Sequence, residues 1–253
     1  MILLYALITG ASSGIGKAIA IELAQKKYNL ILAARREKEL MDLKQTLESA
    51  YGITVMVKPV DLSIEADCHA LFAACAEYHP EIVVNNAGFG MIGAFQERKL
   101  EEELQMIRVN IIGLHILTKL FAHSMTDGVI LNVASIAAFL PSPYLASYAA
   151  TKAYVYSFSR AVNYEMKSSR SKVRVLSLCP GPVITEFAKV AGADPFMHGM
   201  SAERCAKIAV NGIMKKREVI IPGFALKLGR FLLRFLPLSL VFPIAASYQK
   251  RKK

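Results

Sequence analysis

The chain has 253 residues, 54% of them hydrophobic, and carries a formal net charge of +11 at neutral pH. That length is enough for one well-buried α/β domain, and no Pro/Gly/Ser-rich linker divides the chain before about residue 215. The last 39 residues hold ten cations and one acid, so +9 of the +11 lies there and the body carries only +2. The charge therefore characterises the C-terminal end, and no helix-turn-helix or stacked-aromatic pattern indicates a nucleic-acid partner.

The four cysteines favour neither a metal site nor a disulfide framework, because they show no C-x-x-C spacing and no histidine cluster at ligand distance. We expect no metal and a reducing, cytoplasmic setting. The apolar first eight residues lack a basic region and are short for a signal-peptide core, so they are interpreted as the first strand.

Apolar runs and helical periodicities alternate along the chain. Strands are predicted at 2–8, 29–34, 54–58, 82–84, 128–133, 173–178 and 218–221. Helices are predicted at 15–27, 37–51, 63–77 (capped by Ser63), 97–125, 147–167 and 202–215. This order predicts an α/β fold with a doubly wound, Rossmann-type, seven-stranded parallel sheet, which binds ligands outside the carboxyl ends of its strands. We expect one nucleotide-binding catalytic domain over 1–222 and a basic, apolar C-terminal tail over 223–253.

The first strand leads into a glycine-rich loop, Thr-Gly-Ala-Ser-Ser-Gly-Ile-Gly, at residues 9–16. Gly10 permits a tight turn, Gly14 lets backbone approach a pyrophosphate, and Gly16 lets the next helix pack close to the strand. The loop therefore predicts a dinucleotide site, the alternative being an ordinary strand-to-helix turn. The cofactor-binding residues predicted here are Gly10, Ser12, Ser13, Gly14, Ile15 and Gly16.

Tyr148 and Lys152 are four residues apart on a predicted helix and so share one face. A phenol, whose pKa is ordinarily about 10, needs that pKa lowered to exchange protons near neutral pH, and a nearby ammonium lowers it. Taken alone, such a pair usually marks a solvated helix face. Together with the glycine loop, it is a candidate acid/base device.

Two arginines, Arg35 and Arg36, follow the second strand, where an NAD site usually has an acid. Guanidinium groups suit a 2′-phosphate, which they bind through charge-assisted hydrogen bonds. We therefore predict NADP, with NAD as the alternative cofactor, and rank Arg35 ahead of Arg36. The competing interpretation is that both arginines begin a solvated helix.

Two further turns lie at the same predicted edge of the sheet. Asp61-Leu62 follows the third strand, and Asn86-Ala87-Gly88 follows the fourth. The Asp61 carboxylate can accept from an adenine amino group, and the small turn can bring backbone close to a ribose. Each segment alone could be a simple turn.

These features together resemble the short-chain dehydrogenase/reductase family over residues 2–222. The motifs that carry the resemblance are the glycine loop, Asp61, the N-N-A-G turn at 85–88, Asn110, Ser135, Tyr148, Lys152, Pro180-Gly181 and Thr185. The resemblance implies a nicotinamide-dependent oxidoreductase that acts on an alcohol or carbonyl compound. Its catalytic residues would be Asn110, Ser135, Tyr148 and Lys152.

The resemblance also implies a role for each catalytic residue. Tyr148 would protonate the carbonyl oxygen or deprotonate the alcohol, and Ser135 would hold that oxygen. Lys152 would lower the phenol's pKa and bind the nicotinamide ribose. Asn110 would steady a water between Lys152 and solvent. The simpler alternatives are a helix cap for Ser135 and a helix kink or a satisfied buried amide for Asn110.

Three more residues are expected near the cofactor by resemblance. Pro180 and Gly181 would turn the chain after the sixth strand, and Thr185 would contact the nicotinamide carboxamide, although it also suits a helix start. One departure concerns Ser13, because many NADP-dependent members have a basic residue there. The preference for NADP therefore depends mainly on Arg35.

The expected substrate is a hydrophobic ketone, aldehyde or alcohol, such as a lipid-derived one, because apolar walls prefer apolar ligands. Residues 137–144 and 183–200 should wall the cleft. Their bulky, mostly apolar members are Phe139, Leu140, Pro141, Pro143, Tyr144, Phe187, Val190, Phe196 and Met197.

Two other functions are open besides the oxidoreductase. A protein of the same fold could sense nicotinamides or scaffold at a membrane without turnover, but the complete catalytic set argues for an enzyme. A nucleotide-sugar epimerase or dehydratase is less attractive, because little chain remains after residue 185 for a substrate domain. The family also implies a homodimer or homotetramer, formed through helices near Gly113 and Tyr156.

The tail combines cations with apolar residues. Three cations share one face of a predicted helix that Pro237 ends, with the large apolar residues elsewhere around it. The cations are Lys227, Arg230 and Arg234, and the apolar residues are Leu228, Phe231, Leu232 and Phe235. The uncharged stretch 235–249 is shorter than the roughly 20 residues of a membrane span and is interrupted by Pro237 and Pro243. We predict a peripheral contact with an anionic membrane. Alternatively or in addition, the tail folds over the cleft or a partner subunit.

Overall fold

The computed structural model describes residues 4–192 and 199–250, and its centre is a seven-stranded parallel sheet. The strands are β1 (Tyr5–Thr9), β2 (Asn29–Ala34), β3 (Val55–Pro59), β4 (Ile82–Asn85), β5 (Asp127–Val133), β6 (Lys172–Leu178) and, after two short strands, β9 (Val219–Ile220). Their order is β3-β2-β1-β4-β5-β6-β9, with every neighbouring pair parallel. The short strands β7 (Val183–Ile184) and β8 (Met200–Ser201) pair separately. The predicted doubly wound, Rossmann-type sheet is confirmed.

Helices cover both faces of this sheet. They are α1 (Gly14–Gln25), α2 (Glu37–Tyr51), α3 (Glu65–Ala76), α4 (Leu100–Ile107), α5 (Leu114–Ser124), α6 (Ala146–Ser168), α7 (Phe187–Ala191), α8 (Ala202–Met214), α9 (Phe224–Leu232) and α10 (Leu238–Lys250). Apolar residues of α1, α2 and α8 form one core with the sheet, and those of α3, α5 and α6 form the other. Because both faces are covered, the inner strands are continuous apolar runs rather than alternating ones.

The connections place the functional loops at one edge. Strand β1 lies between β2 and β4, so the chain leaves β1 toward one side of the sheet and leaves β4 toward the other. The crevice between the two exits is where this architecture binds ligands. The glycine loop after β1 and the N-N-A-G turn after β4 both lie there.

Three local predictions were inaccurate. Ser63 does not cap α3, because the helix begins at Glu65 and Ile64 occupies the capping position, so that Ser63 belongs to the preceding turn with Asp61. The predicted helix over 97–125 is interrupted by a π-helical turn, Arg108–Gly113, between α4 and α5. Pro243 does not interrupt α10, which continues from Leu238 to Lys250 with the proline inside it.

Within residues 4–192 and 199–250, one helical stretch is long and apolar enough to span a membrane. Leu100–Ser124 has 25 residues and a mean hydropathy of 1.2 in its most apolar window. Leu114, Leu117 and Phe121 of this stretch are buried in the protein core. We therefore interpret it as a core helix.

Candidate active site

The glycine loop has the close backbone approaches that its sequence predicts. Gly10 and Gly14 have φ of +64° and +56°, a region that favours glycine. A Cβ at Gly16 would lie 2.3 Å from the carbonyl oxygen of Gly10, so no larger residue fits. A Cβ at Gly14 would lie 3.2 Å from the methyl of Thr185. The loop is therefore a narrow backbone cradle at the N-terminus of α1, with Thr185 beside it. Backbone N–H groups at a helix N-terminus suit an anion, and the pyrophosphate predicted there stays a prediction.

The N-N-A-G turn is joined to this cradle by hydrogen bonds. The Thr9 hydroxyl accepts from the backbone N–H groups of Asn86 (2.9 Å) and Ala87 (3.1 Å) and donates to the carbonyl of Val84. The Asn86 amide donates to the carbonyls of Thr9 (3.0 Å) and Gly10 (3.1 Å). Thr9 therefore holds the two loops together, a role that its place in the glycine-rich motif did not reveal.

Arg36, rather than Arg35, contacts the glycine loop. Its Nε and Nη2 atoms donate to the Ser12 hydroxyl at 3.2 and 3.1 Å, and its Nη1 donates to the Glu186 carboxylate at 3.0 Å. Arg35 is exposed and makes no side-chain hydrogen bond or ion pair with the part of the chain that the structure describes. The ranking of the two arginines as phosphate ligands stays a prediction, although the hydrogen bonds to Ser12 come from Arg36.

Tyr148, Ser135 and Lys152 lie together at the carboxyl end of the sheet. A hydrogen bond joins Tyr148 to Ser135 and lowers the pKa of the phenol, but burial acts more strongly and raises that pKa to about 12. The Lys152 ammonium lies 5.8 Å from the Tyr148 ring centroid and donates to the Val133 carbonyl at 2.8 Å. Burial lowers the pKa of Lys152 to about 8. The net shift of the phenol's pKa is therefore upward, because desolvation of the buried hydroxyl dominates. The predicted lowering of that pKa by Lys152 stays a prediction.

Asn110 lies in the π-helical turn and is fully buried. Its amide donates to the Phe89 carbonyl (2.9 Å) and the Thr151 hydroxyl (3.1 Å), and its oxygen accepts from the Phe89 backbone N–H (3.1 Å). A Cβ at Gly88 would lie 2.8 Å from the Asn110 oxygen and 3.4 Å from the Lys152 ammonium. Asn110 therefore holds the chain after the N-N-A-G turn against the lysine. Its predicted role through a water stays a prediction.

The remaining predicted residues occupy turns around the site. The Asp61 carboxylate accepts from the backbone N–H of Ser63 at 2.9 Å, and Leu62 is buried beneath that turn. The Pro180 carbonyl accepts from the backbone N–H of Ile136 at 3.0 Å, which ties the turn after β6 to the Ser135 segment. Ser13 precedes α1 without a capping hydrogen bond from its side chain.

Thr185 and Phe187 bring the segment after β7 over the site. The Thr185 hydroxyl accepts from the Phe187 backbone N–H at 3.2 Å, as in the predicted helix start. The ring of Phe187 lies 5.5 Å from that of Tyr148, and a Cβ at Gly90 would meet both rings. Val190 is exposed, whereas Phe196 and Met197 lie outside the described residues. An apolar side chain therefore borders the catalytic hydroxyl.

The other predicted wall of the substrate cleft, residues 137–144, borders an apolar cavity. A cavity of about 500 Å³ is lined by Phe139, Leu140, Pro141, Ser142, Pro143, by Ala146, Ala149, Ala150 and Ala153 of α6, and by Phe242 of the tail. These α6 positions lie on a different face of the helix from Tyr148 and Lys152. Residues 138–143 therefore line this cavity, and their predicted place in the wall of the substrate cleft stays a prediction.

No cluster of three His, Cys, Asp or Glu side chains able to hold a metal occurs within 4–192 and 199–250. All four cysteines are free and buried. Burial raises the pKa of the Cys179 thiol to about 12.

The fold and the glycine-rich loop are those of a nucleotide-binding α/β protein, and the buried Tyr148 and Lys152 lie with the half-buried Ser135 at the carboxyl end of its sheet. A family model described as short chain dehydrogenase matches residues 4–195. The chain belongs to this family, as its motifs predicted, and is an oxidoreductase of the short-chain dehydrogenase/reductase type.

Individual relatives agree with this assignment. A very-long-chain 3-oxoacyl-CoA reductase of Mus musculus is 30% identical over 218 residues, which cover 83% of this chain and 68% of that protein. The solved structure of a short-chain dehydrogenase from Sphingobium yanoikuyae in complex with NADPH is 30% identical, with a TM-score of 0.83 over 92% of this chain and 95% of that one. A short-chain dehydrogenase/reductase from Burkholderia phymatum in complex with NAD is 26% identical, with a TM-score of 0.84 over 91% of this chain and 92% of that one.

Proposed function

We propose that the protein is an NADP-dependent reductase that interconverts a hydrophobic ketone or aldehyde and its alcohol, with Tyr148 as general acid/base. The observation that carries the proposal is the buried Tyr148 hydroxyl, hydrogen-bonded to Ser135, with the Lys152 ammonium one helical turn away. A sensor or scaffold has no need of an acid, an oxygen clamp and a lysine in one place.

In the reducing direction Tyr148 is the proton donor. Because burial raises its pKa to about 12, the phenol holds its proton at neutral pH. It gives that proton to the substrate oxygen, which Ser135 holds by hydrogen bond. A bound nicotinamide supplies the hydride. Lys152 then stabilises the tyrosinate and, with its pKa lowered to about 8, can pass a proton back to it.

Two groups of residues support NADP as the cofactor. The cradle at Gly10, Gly14 and Gly16 would hold a pyrophosphate against backbone, and Arg36, which is hydrogen-bonded to Ser12, would bind a 2′-phosphate. We propose Arg36 as the main phosphate ligand, with Arg35 assisting. NAD remains the alternative, since one similar structure holds NADPH and another holds NAD.

The remaining predicted contacts are proposed around the same cofactor. Asp61 and Leu62 would border the adenine, and Ala87 and Gly88 the ribose. Asn110 would position Lys152, while Gly181 and Thr185 would contact the nicotinamide end.

For the substrate we propose a 3-oxoacyl thioester with a long acyl chain. Its C3 ketone is the reacting group, and its chain is the hydrophobic part that Phe187 would contact. The name of the Mus musculus relative supports this choice.

The substrate is tested by NADPH oxidation with a series of 3-oxoacyl thioesters of increasing chain length, beside small polar ketones. We expect kcat/KM to rise with chain length and to be higher with NADPH than with NADH. Equal or greater turnover of small polar ketones would refute the hydrophobic substrate, and turnover of a nucleotide sugar would refute the reaction class.

We also propose a cytoplasmic homodimer or homotetramer whose tail contacts a membrane. Gly113 and Tyr156, which mark the helices expected at the subunit contact, are both covered by other parts of the chain. Gly113 faces inward against the Leu62 carbonyl, and the Tyr156 hydroxyl is covered by Arg230 of the tail. A contact through these helices would use their outer residues, such as His115 and Tyr154, which hydrogen-bond to each other.

A further inference from the structure

Helix α9 packs on the protein body through a narrow inner face. Leu226 lies against Gly181, where a Cβ would come within 2.6 Å of its methyl. The Arg230 guanidinium lies 4.5 Å from the Phe139 ring centroid and 5.4 Å from that of Tyr156, whose hydroxyl accepts its hydrogen bond. A cation–π contact and a hydrogen bond therefore fix the rotation of the helix. The predicted cationic face is not a free face, because Arg230 points inward.

This rotation turns the apolar stripe of α9 outward. Phe224, Leu228, Phe231 and Leu232 occupy positions i, i+4, i+7 and i+8 and are 81%, 48%, 54% and 51% exposed. A surface helix of a globular protein ordinarily turns such a stripe toward the core. The stripe is therefore a surface without a partner in the described part of the chain.

The exposed apolar surface continues past the end of α9. Phe235 is 71% exposed and its ring lies 5.4 Å from that of Phe231. In α10, Leu238, Leu240 and Ile244 are also exposed, whereas Val241 is buried. Large contiguous apolar patches on a protein surface mark an interaction site.

The charge of the tail selects the partner. Residues 219–253 contain seven cations and no acid. Lys227, at the edge of the stripe, is exposed. A second copy of this surface would bring two cationic segments together, which is unfavourable, whereas an anionic bilayer offers both apolar contact and opposite charge.

We propose that the tail lies in the plane of an anionic bilayer, with the outward stripe of α9 and Phe235 inserted at the boundary between headgroups and acyl chains. The lengths agree with an in-plane contact, because the 13 residues of α10 span only about 20 Å, short of a hydrocarbon core of about 30 Å. Arg230 holds the helix on Phe139, so the bilayer contact lies beside the wall of the apolar cavity. This proposal names the residues that form the membrane contact proposed above. It rests on that contact and does not depend on the proposed catalysis.

The test is sedimentation of the full chain with vesicles, without substrate or nucleotide. The vesicles are phosphatidylcholine alone or phosphatidylcholine with phosphatidylglycerol, at about 0.1 M and about 0.5 M salt. We expect binding to the anionic vesicles and weaker binding to the neutral ones. The double variant Phe224→Ser/Phe231→Ser should bind at least about tenfold more weakly. The matched control Ile64→Ser/Tyr164→Ser, which removes exposed apolar residues of α6 and the turn before α3, should bind like the parent.

Circular dichroism establishes that each variant is folded. A parent that stays in the supernatant with anionic vesicles at low salt overturns the proposal. A Phe224→Ser/Phe231→Ser variant that binds as tightly as the parent also overturns the proposal, because charge alone would then account for the vesicle binding. The stripe would instead be assigned to a second copy of the chain by two results together. The parent would bind no vesicles, and sedimentation velocity would show a dimer for the parent that the Phe224→Ser/Phe231→Ser variant has lost. Each of these outcomes can occur with NADPH oxidation intact, so failure here is separate from failure of the proposed reaction.

Discussion

The Lys152 ammonium lies 5.8 Å from the centre of the Tyr148 ring and donates to the Val133 carbonyl. Burial raises the pKa of the phenol to about 12 and lowers that of the lysine to about 8. At neutral pH the tyrosine is therefore protonated, and most of the lysine is charged. This arrangement provides a proton for ketone reduction and an ammonium that can stabilise the tyrosinate left behind.

The rate of ketone reduction should fall as pH rises through about 8. The lowered pKa of Lys152 means that its ammonium is present below about 8 and is lost above it, and with it the stabilisation of the tyrosinate. The measurement is kcat/KM with NADPH as a function of pH. A Lys152→Arg variant that retains turnover should lack this decline, because a guanidinium keeps its charge. A rate that increases through pH 8 would contradict the role assigned to the ammonium.

Lys152 should reduce the stability of the folded protein near neutral pH. Its pKa is depressed in the folded state from 10.5 to about 8, so the unfolded chain binds more protons between these values and stability rises with pH across that window. Below pH 8 the burial of the charged ammonium lowers the free energy of unfolding by its full amount, on the order of 3 kcal/mol. Lys152→Met should therefore raise the free energy of unfolding at pH 7 by about 1–2 kcal/mol, after the hydrogen bond to Val133 is lost.

Urea unfolding at pH 7 and pH 10 measures this gain, which should shrink at the higher pH. Lys119→Met, which removes an exposed lysine of α5, serves as the control and should change stability little at either pH. A Lys152→Met protein that is less stable than the parent at pH 7 would show that the buried ammonium is not costly.

Arg36→Ala should weaken NADPH binding about tenfold and change NADH binding little, because a charge-assisted hydrogen bond to a phosphate contributes roughly 1.5–3 kcal/mol. The measurement is the Kd of each nucleotide by fluorescence titration. Arg170→Ala, at an exposed position after α6, is the control. Equal losses for the two nucleotides would exclude Arg36 as a ligand of the 2′-phosphate.

Glu186→Gln should have the opposite effect on the same titration. The Glu186 carboxylate accepts from Arg36 at 3.0 Å and would compete with a 2′-phosphate for that guanidinium. Both side chains are largely exposed, so the gain should be at most about fivefold. Unchanged NADPH affinity in this variant would mean that the ion pair does not oppose binding.

Gly16→Ala should abolish nucleotide binding and destabilise the fold by about 1–3 kcal/mol, because a Cβ would lie 2.3 Å from the Gly10 carbonyl oxygen. Gly229→Ala is the matched control, since a Cβ on that helical glycine meets nothing within 4 Å. It should be neutral or slightly stabilising. Thermal unfolding and NADPH titration measure both variants. Full nucleotide affinity in Gly16→Ala would show that the cradle is not as narrow as described.

The sequence was most informative where local patterns alone determine structure. Helix α2 was predicted with its bounds correct, because its apolar spacing is regular and Gly52, at φ +60°, ends it. Strand β2 was also correct, since a short run of apolar residues between turns is typical of a buried parallel strand. The sheet was predicted because strand and helix patterns alternate regularly, and the family was predicted because its motifs occur together in the expected order.

Tertiary contacts decided what the sequence could not. The inward rotation of Arg230 depends on Phe139 and Tyr156, which are far away along the chain, so a helical pattern alone placed that cation outside. The direction of the Tyr148 pKa shift depends on burial, whereas spacing reveals only the neighbouring lysine. The link between Arg36 and Glu186 joins positions 150 residues apart.

The most direct test of the catalytic role of Tyr148 is kcat/KM for NADPH-dependent reduction of a hydrophobic ketone by Tyr148→Phe, beside Tyr154→Phe on another face of the same helix. We predict that Tyr148→Phe loses about 10²–10⁴-fold in rate while its Kd for NADPH stays within a few-fold of the parent, and that Tyr154→Phe retains the parent's rate. Equal turnover by Tyr148→Phe and the parent would contradict the assignment of Tyr148 as the general acid.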